Sequence, residues 1–221
     1  MAFTYVQQAL VYPGMQATLT GVAAGSILVA FVGWADTLPP FDVEDNKNNF
    51  WNVTDCISQA YGHTTRACIA WAANVAAGDT TLTISGYLND AGLSLHEYTG
   101  PSDIVSDGVA SNSYTLSGNN LYDFSTGPVT TTVDNTLLLA MFGDEKSGID
   151  YPFGGGFTKR TASNGHYHYA GDRFVTSQGT YEATCSTGHV TSSDSWVGTL
   201  LALRENTASI ISSPFPCFFR V

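Results

Sequence analysis

Short blocks of apolar residues recur along the chain, several of them alternating with polar residues, a pattern typical of β-strands rather than helices. Clusters of Gly, Asn, Asp and Pro separate the blocks. Two Ala-rich stretches, residues 16–26 and 68–78, run into glycine, so strand or loop is expected there too. The predicted strands are SILVAFVGW (26–34), FWNVTDC (50–56), RACIAWAANV (66–75), TTLTIS (80–85), LSLHEY (93–98), TLLLAMFG (136–143) and SWVGTLLALRE (195–205).

Two of these blocks resemble each other, GSILVAFVGWAD at 25–36 and DNTLLLAMFGDE at 134–145. Each continuous apolar run is typical of a central strand that is buried on both faces. No linker rich in Pro, Ser or charge separates them, so we expect pseudo-symmetry within a single domain over residues 1–205. The predicted fold is all-β, an antiparallel β-sandwich of the jelly-roll kind with about a dozen strands in two sheets.

Composition and charge narrow the class of partner. Charged residues form only 12% of the chain, and Ser, Thr, Asn and Gly replace them, as in many extracellular and virion β-proteins. The formal net charge of −11 would repel nucleic acid, so no nucleic-acid partner is predicted. Without an 18-residue apolar run or a signal-peptide pattern, we expect no membrane partner, and either function after cytoplasmic synthesis or removal of a leader.

The cysteines leave two interpretations open. None of Cys56, Cys68, Cys185 and Cys217 forms a C-x-x-C pair, which disfavours a zinc site. Cys56 and Cys68 flank ISQAYGHTTRA, a stretch that fits a hairpin loop bridged by a disulfide. Reduced, buried thiols are an equally good interpretation of these two cysteines. Whether Cys185 and Cys217 form a disulfide also stays open.

The order of the segments resembles a known module. The segments are GSILVAFVGW, VEDNKNNFWNV in the place of a V-x-D-x-x-G-N-x-[YW] hairpin, ACIAWAANVAAGDTTLTIS, LSLHEYTG, TLLLAMFG and SWVGTLLALRE. In this order they resemble a recurrent β-sandwich module of large bacterial surface proteins and of some phage virion proteins, which implies a fold but no catalytic signature. The chain departs from the pattern at Asn46-Lys47-Asn48, where a Gly is usual, and in its tail, residues 206–221.

The stretch SNGHYHYAGDR, residues 163–173, is a candidate binding strand. On a strand, His166 and His168 would project to one side and Tyr167 and Tyr169 to the other. Two imidazoles at this spacing suit a metal, but nothing in the sequence brings further ligands to them, so no metal is predicted. The further ligands considered are Asp172, His63 and His189.

Aromatic residues offer platforms for sugar rings or for a protein partner. The predicted contact residues are Tyr151, Tyr167, Tyr169, His166 and His168. The tryptophans Trp34, Trp51, Trp71 and Trp196 lie inside predicted strands, so we expect them in the core.

Catalytic signatures are missing from the sequence. There is no G-x-S-x-G elbow and no E-x-D pair of carboxylates on one strand. Glu97 and Glu182 stand alone on strands, where a hydrogen-bonded or solvated role is expected. The sequence therefore predicts that the protein is not an enzyme.

Two loops, residues 42–49 and 143–150, concentrate oxygen donors that calcium would accept. Neither matches the D-x-[DN]-x-[DN]-G spacing, and polar turn chemistry explains both. A structural calcium ion is compatible with them, but no cofactor is predicted.

The tail SIISSPFPCFFRV, residues 209–221, is apolar, and its two prolines prevent a helix. Such a segment needs cover, so it docks either along the protein's own sheet or on a neighbouring subunit as an arm. The predicted assembly contacts are Ile210, Ile211, Phe215, Phe218 and Phe219.

These features together predict a non-enzymatic structural protein located in a virion, such as a phage capsid decoration or tail-associated protein. It would form a homo-oligomer and contact other virion proteins or copies of itself. One alternative is a carbohydrate-binding or adhesion module, extracellular or at a cell surface, that binds glycan through loops 151–169. The other is a glycoside-active enzyme.

Overall fold

The computed structural model describes residues 2–35, 42–61, 63–86, 89–116, 123–144, 151–161, 168–186 and 194–207. Every regular element in these ranges is a β-strand. The strands are β1 Thr4–Val11, β2 Gln16–Val22, β3 Ile27–Ala35, β4 Asp42–Asp45, β5 Asn52–Val53, β6 Ile57–Tyr61, β7 His63–Ala72, β8 Gly78–Ser85, β9 Asn89–Thr99, β10 Ile104–Leu116, β11 Asp123–Ser125, β12 Val129–Thr130, β13 Thr136–Asp144, β14 Thr158–Lys159, β15 His168–Val175, β16 Thr180–Tyr181, β17 Thr184–Ser186 and β18 Asp194–Glu205.

The strands form two large antiparallel sheets and three small ones. The N-sheet has the order β1-β9-β3-β7-β5, with β6 also paired to β7. The C-sheet has the order β10-β18-β13-β15-β14. A three-stranded sheet, β2-β8-β4, forms the N-cover, and two ribbons, β11-β17 and β12-β16, form the C-cover.

These units stack as four layers, in the order N-cover, N-sheet, C-sheet and C-cover. Even-numbered residues of β3 from Leu28 to Trp34 pack toward the N-cover, and odd-numbered residues from Ile27 to Phe31 pack toward the C-sheet. The side chains of β13 alternate in the same way between the N-sheet and the C-cover. Both strands are therefore buried on both faces, which confirms the prediction from their continuous apolar runs.

The two halves of the chain repeat one strand order. In each large sheet the first strand of the half, β1 or β10, lies at an edge and pairs with the last strand, β9 or β18. A register shift occurs near the start of both edge strands, between Tyr5 and Gln7 and between Ser106 and Gly108. The pseudo-symmetry predicted from the two similar sequence blocks thus relates β3 to β13 at the centres of the two sheets.

The predicted all-β antiparallel sandwich is confirmed, but the numbers of strands and sheets differ from the prediction. The described residues contain 18 strands rather than about a dozen, and five sheets rather than two. Several of the strands outside the predicted list are two to four residues long, too short for a period to be recognised, namely β4, β11, β12, β14, β16 and β17. The list also omitted the longest strand, β10, which has 13 residues. The jelly-roll connectivity stays a prediction.

The predicted hairpin between Cys56 and Cys68 is present as β6 and β7, which pair Ile57 with Ala67. The two cysteines form a disulfide, with a Cα–Cα distance of 4.7 Å. Cys185 is buried in the core beneath the C-cover, and Cys217 lies outside the described residues.

Candidate functional site

A group of polar side chains crosses the interface between the N-sheet and the C-sheet near the β1 edge. This interlayer cluster consists of Tyr5 on β1, His96 and Tyr98 on β9, Arg160 directly after β14, and Asp172 on β15. His96, Tyr98 and Asp172 are each at most 1% exposed. Because side chains alternate along a strand, the facing sides of β9 and β15 direct these groups at one another.

Asp172 is the acceptor at the centre of the cluster. Arg160 donates to it through Nε to Oδ2 at 2.8 Å and through Nη2 to Oδ1 at 3.0 Å. The Tyr98 hydroxyl donates to Oδ2 at 2.9 Å, and the Arg160 guanidinium lies 4.0 Å from the centroid of the Tyr5 ring. A buried ion pair needs such additional hydrogen bonds, so this geometry fixes the two sheets relative to each other.

Burial and the Asp172 charge determine which groups in the cluster are ionised. Burial raises the pKa of Tyr98 well above its ordinary value, and the charge and hydrogen bond of Asp172 raise it further. Burial opposes ionisation of Arg160, but the hydrogen bond and charge of Asp172 raise its pKa above the ordinary value. Arg160 therefore stays protonated and Tyr98 stays a neutral hydrogen-bond donor.

His96 is a neutral imidazole in this environment. Burial, followed by the charges of His168 and Arg160, lowers its pKa from 6.5 to about 3. Its Nε2 has no hydrogen-bond partner among the described residues, and its Nδ1 lies 3.4 Å from the Tyr98 hydroxyl. The ring packs against Phe31 with centroids 4.9 Å apart.

His168, a predicted contact residue, lies in the same interface and is fully buried. Its Nε2 is 3.2 Å from the Ser94 hydroxyl of β9. The ring lies so close to Gly92 that a Cβ there would come within 2.5 Å of Nδ1, so only glycine fits under it. The expectation of an exposed contact at His168 is therefore corrected.

The predicted tyrosine contacts are buried as well where the structure describes them. Tyr151 and Tyr169 are 3% and 1% exposed, and their rings meet edge to face at 5.0 Å beneath the C-cover. Tyr169 points away from His168, as strand alternation predicted, but it fills a core instead of a surface. The residues His166 and Tyr167 lie outside the described ranges.

No metal site is formed in the part of the chain that the structure describes. There, no group of three or more His, Cys, Asp or Glu side chains is arranged to hold an ion. Asp172, one of the considered ligands, accepts hydrogen bonds from Arg160 and Tyr98 instead. His189 lies outside the described residues, and the side chain of His63 is not described.

The first of the two loops considered for calcium, residues 42–49, contains a hydrogen-bonded turn. Asp45 accepts backbone N–H groups of Lys47 at 2.8 Å and Asn49 at 3.2 Å, and the Trp51 indole N–H at 2.8 Å. Asn48 has a φ of 56°, a left-handed conformation that asparagine tolerates better than most residues. Asparagine thus takes the place of the usual glycine, but the turn connects β4 of the N-cover to β5 of the N-sheet instead of forming the expected hairpin. The second loop, 143–150, is outside the described residues from position 145 onward.

The two glutamates considered for catalysis are not brought together. Glu97 is 1% exposed and accepts hydrogen bonds from Gln7 at 2.6 Å, the Ala23 N–H at 3.0 Å and Ser26 at 2.7 Å, on the N-cover side of β9. Glu182 is exposed in the C-cover. The N-sheet and C-sheet lie between them, so they cannot form the carboxylate pair of a retaining glycosidase, which requires about 5 Å.

The tryptophans pack as predicted. Trp34, Trp71 and Trp196 are buried, and Trp51 is partly buried against the core beneath the N-cover. Trp196 stacks on Phe124 with centroids 4.2 Å apart.

The surface offers two long edge strands, β1 and β10. Within the described residues each forms backbone ladder bonds on one side only. Neither β1 nor the part of β10 from 109 to 116 contains a charged residue. Val6 and Val109 are 47% and 45% exposed on these strands.

The predicted assembly contacts in the tail fall beyond the described residues, which end at Thr207. They are Ile210, Ile211, Phe215, Phe218 and Phe219.

Comparison of the chain with models of known protein families, with curated proteins and with solved structures found no match. The described residues include no helix of the length and apolar character needed to cross a membrane. The fold thus defines the chain as an all-β sandwich protein with two halves of related strand order.

The Arg160–Asp172 pair was not predicted from the sequence. A carboxylate within the buried strand HYAGDRFV signals a cationic partner, because a buried charge is rarely left uncompensated. Its partner depends on the pairing of Thr158 with Asp172, a contact between β14 and β15 that no local pattern reveals.

Proposed function

We propose that the protein is a non-enzymatic structural component of a virus particle, such as a phage capsid decoration or tail-associated protein. It acts through protein–protein contacts with other virion proteins or with copies of itself. The contacts are made by sheet edges, the apolar tail and polar loops, in a symmetric oligomer.

The observation that carries this proposal is the character of the edge strands. Monomeric proteins usually protect a long edge strand with charge, proline or a covering segment. Here β1 has eight residues without charge, and β10 has nine such residues after its register shift, in a chain with a net charge of −11. Strands of this kind are suited to pairing with another chain.

The buried polar groups support a structural role. His96, Tyr98 and Asp172 combine an imidazole, a phenol and a carboxylate, but a substrate cannot reach groups that are at most 1% exposed. Their hydrogen bonds hold two sheets together, as a rigid building block requires. The glycan-binding alternative loses support because Tyr151, Tyr169 and His168 are buried.

The test follows the protein through particle purification. Antibodies against the chain are used on density-gradient fractions of virus particles from the source culture, alongside a known coat protein. We expect the chain to sediment with intact particles at a fixed ratio to the coat protein. A chain found only in the soluble fractions would contradict the proposal.

A shortened chain that ends at Glu205 shows whether the tail takes part. If the tail is an assembly arm, the shortened chain folds but is lost from the particle fractions. Retention of the shortened chain in the particles would assign the contact to the sheet edges.

A further inference from the structure

The edge of the C-sheet at β10 is the longest uncharged edge in the described structure. After the register shift between Ser106 and Gly108, the strand pairs regularly with β18 from Gly108 to Leu116. The corresponding regular part of β1, from Gln7 to Val11, is shorter. Backbone groups on the outer side of β10 have no ladder partner among the described residues.

Side-chain contacts hold this part of β10 in place. The Ser111 hydroxyl donates to the Thr199 hydroxyl of β18 at 3.1 Å. Asn112 donates to the Tyr114 hydroxyl at 2.8 Å, and Tyr114 donates to the Ser125 carbonyl at 3.3 Å. A strand already fixed in an extended conformation loses little entropy when another strand pairs with it.

The odd-numbered side chains of β10 from Val109 to Ser113 are small and exposed to solvent. Val109, Ser111 and Ser113 are exposed along this row and leave room for a second strand to approach. The acid on β10 itself, Asp107, accepts hydrogen bonds from Arg204 at 2.8 Å and from the Thr132 N–H at 2.6 Å. β10 itself carries no charged residue from 109 to 116, so its outer edge is a neutral strip on an acidic protein.

We propose that β10 pairs antiparallel with β10 of a second copy, so that two C-sheets join across a twofold axis. This inference rests on the proposed function and identifies one partner of the protein, a second copy of the same chain. Two copies that each carry −11 repel where acidic surfaces meet, so they approach best along a strip without charge. An antiparallel twofold pairing also lets one strand supply both sides of the contact.

The experiment is light scattering of the full chain over a range of concentrations. We expect a mass of twice 23.5 kDa that falls toward 23.5 kDa on dilution. Val109→Lys places a charge on the neutral strip and is expected to give the single-chain mass at every concentration, because an edge lysine blocks strand pairing. Ser113→Lys is a second variant in the same row, and circular dichroism checks that both remain folded.

The matched control is Val6→Lys on β1. Val6 has nearly the same exposure as Val109, on the edge strand of the other large sheet, and the substitution changes net charge equally. It is expected to leave the twofold mass unchanged.

Three results would overturn the inference: a single-chain mass of the unmodified protein at all concentrations, dissociation by Val6→Lys but not by Val109→Lys, or loss of the dimer only when the tail is removed. The proposed function fails separately. A monomer that still sediments with particles removes the β10 dimer alone, whereas a dimer absent from particles removes the virion role alone.

Discussion

The two halves of the molecule share a strand order in their central sheets but cover those sheets differently. The N-cover is one continuous three-stranded sheet, which packs aliphatic residues such as Leu82 and Ile84 on the N-sheet. The C-cover consists of two short ribbons, and rings such as Phe124, Tyr151 and Trp196 fill the space beneath them. Aromatic side chains bury about 150–250 Å² each, so they replace apolar area that a regular sheet would supply.

The difference shows that one arrangement of central strands accepts two kinds of outer layer. In the N-cover, backbone hydrogen bonds among β2, β8 and β4 hold the outer layer together. Its apolar side chains then pack on the N-sheet. On the C-terminal side, a few large rings hold short ribbons that would not be stable as isolated pairs.

The largest expected effect comes from emptying the aromatic core. Trp196→Ala is expected to cost about 3–5 kcal/mol in the free energy of unfolding, because the cavity removes contacts with Phe124 and Tyr151. Leu82→Ala, in the aliphatic core, is expected to cost about 2–5 kcal/mol. Urea unfolding measures both.

Amide hydrogen exchange then shows which of the two outer layers each substitution destabilises. Trp196→Ala is expected to accelerate exchange in β11 and β17, and Leu82→Ala in β2, β8 and β4. If both variants gave the same exchange map, the two covers would not be independent.

A loss of similar size is expected where the halves meet. Arg160→Met leaves Asp172, 1% exposed, without its cation, and removal of one partner of a buried ion pair costs about 3 kcal/mol or more. The double variant Arg160→Met with Asp172→Leu replaces both charges by apolar groups and is expected to recover most of the stability. Equal losses in the single and double variants would show that packing, not charge, explains the effect.

The pH dependence of the free energy of unfolding is expected to reveal the lowered pKa of His96. Its pKa is lowered from 6.5 to about 3 in the folded protein, so between these pH values the unfolded chain binds a proton that the folded chain does not. The contribution of neutral His96 to the free energy of unfolding is therefore fully present above pH 6.5 and is lost as the pH falls toward 3. Between pH 7 and pH 5 the loss is roughly 2 kcal/mol.

The measurement is urea unfolding at each pH for the unmodified chain and for His96→Phe. Both chains share the same carboxylates, so the difference between their pH profiles isolates His96. The variant is expected to lose less stability on acidification. Identical profiles would contradict a buried neutral imidazole.

The smallest effect is expected at the turn that links the N-cover to the N-sheet. Asn48→Ala places an ordinary side chain in a left-handed conformation and is expected to cost about 1 kcal/mol, whereas Asn48→Gly is expected to change stability by only a few tenths. Thermal unfolding of both variants measures the difference. A larger loss for glycine than for alanine would show that the asparagine side chain, not its backbone conformation, holds the turn.

The central strands could be predicted from the sequence because their signal is local. A continuous apolar run identified β3 and β13, and the last strand was predicted to end at Glu205, where β18 ends. The strands of the C-cover are two or three residues long, too short for a period of two to be recognised.

The interlayer cluster could not be predicted for a different reason. Tyr98 and Asp172 are 74 residues apart in sequence and meet only when the two large sheets stack. The same stacking buries His168, which looked like a surface residue beside polar neighbours. Burial of this kind depends on layer order, which is a property of the whole chain.

The apolar layer between the two large sheets also has a consequence for how the protein is made. The N-sheet requires β9 between β1 and β3, so its ladder can be completed once Thr99 has left the ribosome. Its inner face, with Ile27, Phe31 and Ile69, is covered only when β13, β15 and β18 follow. A nascent chain therefore displays an apolar surface during most of the second half of its translation, and β18, the last strand of the described residues, closes it.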